Sequence, residues 1–488
     1  MEKRWILVSA RYDGLVKKAV NMLSGTISEY ISYVLPVKIS TTLSTDDLTG
    51  NNLLVIGCGN DNPLLQECKT KAFLDLPQKT ESYAVYVGEN PLAPQNQMIA
   101  IAGYDEQGLL YGCMDFCNKY CGDIVYRHGD IWSETFFVHP FDRKLNSWKT
   151  SVSPAIQTRA IWTWGHVIYD YRQFFDNMVR LRLNEIVIWN DCAPLNAAEV
   201  VTYAHSLGIK VIWGFAWGWN TDCEKMLNEL DEQSLATIKS SVLLTYEKEY
   251  ADTGADGIYF QSFTELHQDN VGGKCVAELV TDLVNDVSTA LLEKYPSLHI
   301  QFGLHATSVK THLDVLRKVD PRIHIIWEDC GAFPYNYSAD EVSGFDETLT
   351  MTKSLLSLRG ENERFGAVLK GLLKLDWNNF EHFSAPYILG ERSSICLKKR
   401  QADKTNLWKI TQAGWLGHAE YARRMISLMA KEGNTPIVQF LVEDSVFENE
   451  IMLPVALFAE MLWNPDADIH ELTEQVAKYP CVSFASLY

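Results

Sequence analysis

The sequence predicts an α/β protein, a (β/α)8 TIM barrel preceded by a small α/β domain. Three observations carry this. From Gln157 onward, short apolar runs alternate with amphipathic stretches at the spacing of parallel strands joined by helical crossovers. Seven such strands follow one another, which favours a closed barrel over an open sheet. The chain is 488 residues long, more than one small core needs and suited to a barrel with an attached domain.

Residues 1–150 read as the small domain. WILVSA and LLVIG are predicted strands, Asp13 to Tyr33 an amphipathic helix, and MIAIAG a strand entering the helix of DEQGLLYGCMDFCNKY. Gly57 and Gly59 in GCGN lack the third glycine and the following helix pattern of a dinucleotide site, so a plain turn is expected and no cofactor is implied. Cys113, Cys117 and Cys121 fall four apart on one helical face. One face of one helix gives poor tetrahedral geometry, so core packing is expected rather than a metal. The segment YRHGDIW, Tyr126 to Trp132, leads through a polar stretch to Pro154, where the boundary to the barrel unit, residues 151–488, is placed.

In the barrel unit TRAIWTW is a strand, FFDNMVRLRLN a helix, EIVIWND a strand, AAEVVTYAHSLG a helix capped at Gly208, and IKVIWGFAWGWN a strand. A helix from Glu232 to Tyr250 leads into GIYFQSFTE, with Gly254 and Asp256 as the turn before it. Then come a helix from Cys275 to Tyr295, the strand LHIQFGLH, a helix from Val309 to Val319, and the strands IHIIWED and GAVLKGLLKLDW. The eighth strand falls in SAPYILG or in PIVQFLV, and the rest of the chain is expected to be mainly helix packed on the barrel.

Composition bounds the partners. A hydrophobic content of 47% with 22% charged residues is that of an ordinary folded protein. A net charge of −19 without a basic stripe argues against nucleic acid. No run of about 18 apolar residues appears, so no membrane span is expected. Eleven cysteines without close pairs favour reduced, buried thiols. Together with an N-terminus too short in apolar residues for a signal peptide, they suggest a cytoplasmic protein, or an exported one whose leader is already removed.

Active sites of such barrels lie at the carboxyl ends of the strands. The predicted ends carry Trp162 and Trp164; Trp189, Asn190 and Asp191; Trp213, Trp217 and Trp219; Glu265; His305; Trp327, Glu328 and Asp329; and Asp376 and Trp377. Aromatic faces and hydrogen-bonding groups together suit a sugar ring. Glycosidic bonds are cleaved by two carboxyl groups, one protonating the leaving oxygen and the other acting as nucleophile or activating water. Glu265 on the fourth strand and Glu328 or Asp329 on the sixth are the candidates, and adjacent positions on a strand point oppositely, so one of the latter pair faces the sugar. A metal held by His305 with Glu265, Glu328 and Asp329 is disfavoured, because only one histidine is well placed.

The barrel resembles that of glycoside hydrolase family 20, the β-N-acetylhexosaminidases, and less closely the α-glucuronidase and O-GlcNAcase barrels. The resemblance rests on TRAIW, RLRLNEIVIWND, VTYAHSLGIKVIW, on GYDEQGLLYG followed by YRHGDIW, and on LFAEMLWNPDAD. It covers most of the chain, through loose motifs. It implies that Arg159 grips sugar hydroxyls from the first strand and that Glu265 is the general acid. The family carries adjacent Asp and Glu after the fourth strand, the Asp orienting the substrate's acetamido group; here the pair is Thr264 and Glu265. A threonine hydroxyl cannot stabilise a developing positive charge as a carboxylate does, which puts substrate-assisted catalysis in doubt.

The expected function is therefore an exo-acting glycoside hydrolase on an oligosaccharide or glycoside. Glu265 is its acid, Glu328 or Asp329 the partner, and Arg159 and Asp191 hydroxyl ligands. Trp164, Trp189, Trp213, Trp327 and Trp377 are expected as walls, with His305 and Asp376 as further substrate contacts. Two alternatives stand beside it: an α-glucuronidase-like hydrolase using His305 or Lys370 for an acidic sugar, and a catalytically silent carbohydrate-binding protein.

Overall fold

The computed structural model describes residues 3–71, 73–124, 139–190, 192–218, 232–265, 269–271, 273–305, 309–328, 344–360, 363–372, 386–442 and 447–483. For residues 232, 265, 370–372, 404–411 and 483 it describes the backbone alone.

The first unit is a six-stranded mixed sheet. Strands β1 (Trp5–Ser9), β2 (Val37–Ile39), β3 (Asn52–Cys58), β4 (Tyr83–Glu89), β5 (Gln97–Gly103) and β6 (Trp148–Val152) lie in the order β2-β1-β3-β5-β4-β6. The first four in that order are mutually parallel, while β4 runs antiparallel to both β5 and β6. The three predicted strands are β1, β3 and β5; β2, β4 and β6 were not legible as strands. Strand β6 crosses residue 150 and still belongs to this sheet. Cys113, Cys117 and Cys121 are buried, and burial pushes all three thiols up, that of Cys117 to about 12.

The second unit is a closed barrel of eight parallel strands. They are β7 (Thr158–Trp164), β8 (Glu185–Trp189), β9 (Lys210–Gly214), β10 (Gly257–Gln261), and, beyond the two-residue hairpin strands β11 (Asn270–Val271) and β12 (Lys274–Cys275), β13 (His299–Leu304), β14 (Ile323–Trp327), β15 (Phe365–Leu372) and β16 (Ile437–Val442). Strand β16 closes the ring by pairing with β15 on one side and β7 on the other. Of the two segments offered for the eighth strand, PIVQFLV supplies it. The predicted helix from Val309 to Val319 is shorter than expected, a single turn at Leu313–Leu316.

Period-two alternation sorts the strand residues into two separate apolar clusters. Trp162, Trp164, Val187, Trp189, Ile212, Tyr259, Ile326, Val368, Ile437 and Leu441 fill the barrel interior. Their neighbours, among them Ile161, Ile188, Trp213, Phe260, Phe302 and Trp327, face the helices. The helix Tyr171–Arg180 shows why these segments are helical. Asp170 caps it by accepting from Gln173 N, and Phe174, Phe175, Met178 and Val179 recur on the buried face. Near the amino ends of the strands the interior turns polar: Gln301 Nε2 donates to Glu185 Oε1 at 2.8 Å, and Gln439 Nε2 donates to Gln301 Oε1 at 2.6 Å. Burial raises the Glu185 carboxyl above the usual carboxylate range.

The helix Glu106–Asp115 of the first unit docks beneath that amino end. Gly208, at the predicted helix cap, has φ +70, and a Cβ there would lie 1.8 Å from Gln107 Oε1. Arg182 reaches Asp115 at 3.0 Å, Tyr83 Oη at 2.6 Å and also Glu460, which in turn lies 2.7 Å from Lys119. These side chains come from the small sheet, its helix, the barrel and the C-terminal helix Leu453–Met461, so one buried ionic seam joins all four. Among the described residues no helix is long and apolar enough to cross a membrane.

Candidate functional site

The carboxyl end of the barrel, opposite the seam, is built around β10. Ile258 and Phe260 face the helices, so Tyr259 and Gln261 point inward. The chain then makes a 3₁₀ turn, Phe263–Glu265, which sets the Glu265 backbone directly beyond the strand end. Its side chain lies outside the described residues. Thr264 is fully buried, and its Oγ1 accepts the backbone N–H of His305 at 3.1 Å.

Across the mouth, Glu328 follows β14 and has the inward parity of Ile326. Its backbone N–H donates to Leu304 O at 2.9 Å, extending the β13 pairing by one step. The carboxylate is 4% exposed and is surrounded by donors. Tyr259 Oη donates to Oε1 in a short hydrogen bond. Gln261 Nε2 lies 2.9 Å from Oε1 and 2.7 Å from Oε2, and His305 Nε2 lies 3.0 Å from Oε2. Space for this cluster depends on Gly303 of β13, where a Cβ would sit 2.1 Å from Glu328 Oε1 and 2.5 Å from Tyr259 Oη.

Beneath it, three tryptophans and Tyr259 pack ring against ring. Trp162 lies 4.6 Å from Trp164 and 77° to it, 5.9 Å from Trp189 in a stacked arrangement, and 5.7 Å edge-on from Tyr259. Asn190 continues the Trp189 strand end, and its carbonyl accepts from Tyr250 Oη at 2.8 Å. The mouth thus combines a buried carboxylate, an imidazole, a carboxamide and flat aromatic faces, a set that can hold a sugar ring and place charge beneath it.

Several expected site residues stand elsewhere. Arg159 is not at the mouth. It is the second residue of β7, is fully buried, and directs its guanidinium to the carbonyls of Ile156, Gln157 and Arg182 and to Glu81 Oε2 at 2.7 Å. An arginine near the amino end of a strand is almost a full strand length from the chemistry at the other end, so it ties the barrel to the small domain and cannot grip a sugar there. Trp213 and Trp327 have outward parity. The Trp213 indole N–H donates to Thr253 Oγ1 at 3.1 Å, and Trp327 is fully buried in the layer between strands and helices. Trp217 likewise stacks on outward-facing Phe260 at 3.5 Å. Trp164, Trp189, His305 and Glu328 do come together. Asp191, Trp219, Asp329, Asp376 and Trp377 lie outside the described residues, as does the side chain of Lys370.

Sequence reasoning passed over Tyr259 and Gln261, which it read as part of the apolar run and as its polar break. The signal was present: both share a face of β10, two residues apart.

No family model and no curated relative matches the sequence. Solved structures do. The chain is similar to CpGH84D, at 12% identity over 96% of this chain and 67% of that one, with a TM-score of 0.51. It is also similar to the GH20 β-N-acetylhexosaminidase from Streptomyces coelicolor A3(2), at 10% identity over 97% of this chain and 90% of that one, with a TM-score of 0.50. At these identities the likeness is one of fold, and it spans both the small mixed-sheet unit and the closed barrel found here.

Proposed function

We propose that this chain is an exo-acting glycoside hydrolase of the β-N-acetylhexosaminidase-like kind, removing a terminal sugar from an oligosaccharide or glycoside. Glu265 is the general acid and Glu328 the second carboxylate. The observation that carries the reading is Glu328, a carboxylate turned into an aromatic-floored barrel mouth facing the strand end that bears Glu265. The barrels it resembles in fold include that of a protein named as a β-N-acetylhexosaminidase.

Thr264 does not stand in for a substrate-orienting carboxylate, because its hydroxyl is buried and engaged with the His305 backbone. The second carboxylate is therefore assigned to the sixth strand. His305 lies against Glu328, so any positive charge it carries is already countered, which weighs against an acidic terminal sugar. Trp164 and Trp189 serve as walls, and Asp191, Asp329, Asp376 and Trp377 remain proposed substrate contacts.

The test is release of nitrophenol from aryl N-acetylglucosaminide, N-acetylgalactosaminide, galactoside, glucoside and glucuronide by the parent and by Glu265→Gln. Turnover of one glycoside that is lost in the variant supports the reading and names the sugar class. A parent that binds sugar without turnover, with Glu265→Gln binding equally well, replaces it with the carbohydrate-binding protein.

A further inference from the structure

Resting on the glycosidase reading, the geometry points to a more specific role for Glu328: it is a positioning residue that never bonds to the sugar, and it works through Tyr259 and His305. An ionised carboxylate has about four lone-pair sites and accepts only. Two donors engage them here, Tyr259 Oη on Oε1 and Gln261 Nε2 shared between Oε1 and Oε2, and His305 Nε2 lies 3.0 Å from Oε2 as an ion-pair neighbour. A nucleophilic carboxylate needs one oxygen with a lone pair aimed at the anomeric carbon. Glu328 has both oxygens engaged by protein donors, with the His305 ring against Oε2, and is 4% exposed. The absence of a Cβ at Gly303 is what leaves room for the cluster.

The donors match the ionised form, because a protonated carboxyl would set its own O–H against one of them. A proton on His305 Nε2 would face the Glu328 carboxylate at 3.0 Å, and the adjacent negative charge favours the imidazolium. Glu328 on the β14 end faces His305, Tyr259 of β10 meets the same carboxylate, and the neutral Thr264 accepts from the His305 backbone. Glu328 with its three partners is thus a fixed unit under the sugar whose negative end is the carboxylate. It steadies positive charge developing at the anomeric carbon without forming a covalent intermediate. The glycosidic C–O bond breaks with the Glu265 proton passing to the leaving oxygen, and a water oxygen bonds to the anomeric carbon and sheds its proton to the Glu265 carboxylate or to solvent.

Two measurements on the full chain decide this. The first needs no turnover: imidazole 15N and 1H shifts of His305, assigned by His305→Gln, are followed against pH in the parent and in Glu328→Gln. The expected result is an imidazolium that loses its proton about one pH unit or more lower in the variant; an unchanged titration overturns the unit. The second uses the aryl glycoside the parent hydrolyses fastest. Glu328→Gln, Tyr259→Phe and Gln261→Leu are each expected to lower kcat with KM nearly unchanged, the combined variants losing far less than the product of the single losses. Azide is expected not to restore Glu328→Ala. Azide rescue with formation of a glycosyl azide, or a covalent sugar adduct on Glu328 in the parent, overturns the proposal. If no glycoside turns over, the hydrolase reading fails by itself, and the His305 titration still decides whether the unit exists.

Discussion

The two ends of the barrel each bury carboxylates, and they treat them in opposite ways. At the amino end Glu460 sits between Arg182 and Lys119, Glu81 pairs with Arg159, and Arg182 also reaches Asp115. Burial raises the Glu460 carboxyl, but the two cations outweigh it and hold it below the usual range. Charge is closed against charge. At the carboxyl end Glu328 meets a tyrosine, a carboxamide and an imidazole, beside a floor of indole rings. Two formal cations close on Glu460 at the seam, whereas the mouth sets a hydroxyl, a carboxamide and one imidazole around Glu328. The first arrangement resists separation of the domains; the second holds a single carboxylate at the strand ends by directional donors.

The sharpest break between the ends is kinetic. Glu265→Gln is expected to lower kcat by roughly 10²–10⁴-fold, the usual contribution of a general acid, with stability nearly unchanged. Nitrophenol release and urea unfolding check the two halves, and a variant as active as the parent removes Glu265 from the mechanism. At the other end the effect reverses. Arg182→Met leaves the buried Glu460 and Asp115 to share Lys119 alone among the described cations and is expected to cost up to about 3–5 kcal/mol in urea unfolding, while the folded fraction keeps its KM. Arg159→Met belongs to the same class. A raised KM at full stability would return Arg159 to the sugar site.

Glu448 sharpens the comparison as a third kind of buried carboxyl. Its Oε1 accepts the backbone N–H groups of Tyr169 at 2.5 Å and Asp170 at 3.3 Å, and Oε2 has no donor among the described residues. Burial outweighs the backbone donors and pushes the carboxyl up to about 7. The folded value lies above the unfolded one, so this group's contribution to stability is fully present below about pH 4.5 and is lost as pH rises through 7. The swing is on the order of 3 kcal/mol. Unfolding of the parent and of Glu448→Gln between pH 4 and pH 8 checks it: the variant should lack this part of the slope and gain on the parent toward pH 8.

Gly303→Ala is the smallest change. Its methyl meets Glu328 and Tyr259, and overpacking of this size costs about 1–3 kcal/mol. Activity is expected to fall more steeply than stability, because the carboxylate is the group that yields. Equal losses of both would place Glu328 outside the working site.

Much of this was legible in the chain. Apolar runs at βα spacing located seven barrel strands, since burial on both faces demands continuous apolar sequence. The small domain was read less fully. Strands β4 and β6 pair antiparallel at its edge, where a mixed and partly exposed pattern such as that of Trp148–Val152 gives a weak signal. In the site, Trp164, Trp189, His305 and Glu328 were named and do gather at the mouth. Arg159, Trp213 and Trp327 were named and do not. For the tryptophans the error was one of parity, which the alternation with Trp162, Ile212 and Ile326 could have corrected. Arg159 was a matter of height, since a resemblance at the level of a motif does not say which end of a strand a side chain serves.

By itself the sequence determined the class of the fold, the order of its strands and the residue types available at their ends, because these follow from local periodicity and turn chemistry. Tertiary structure alone decided which strand closed the ring, which side of each strand faced the cavity, and which polar groups met. The cluster around Glu328 joins residues 67 and 69 positions apart through β10 and β14, and the seam joins residues as far as 278 apart. Contacts of that separation depend on barrel closure and register, quantities that no local stretch of chain encodes.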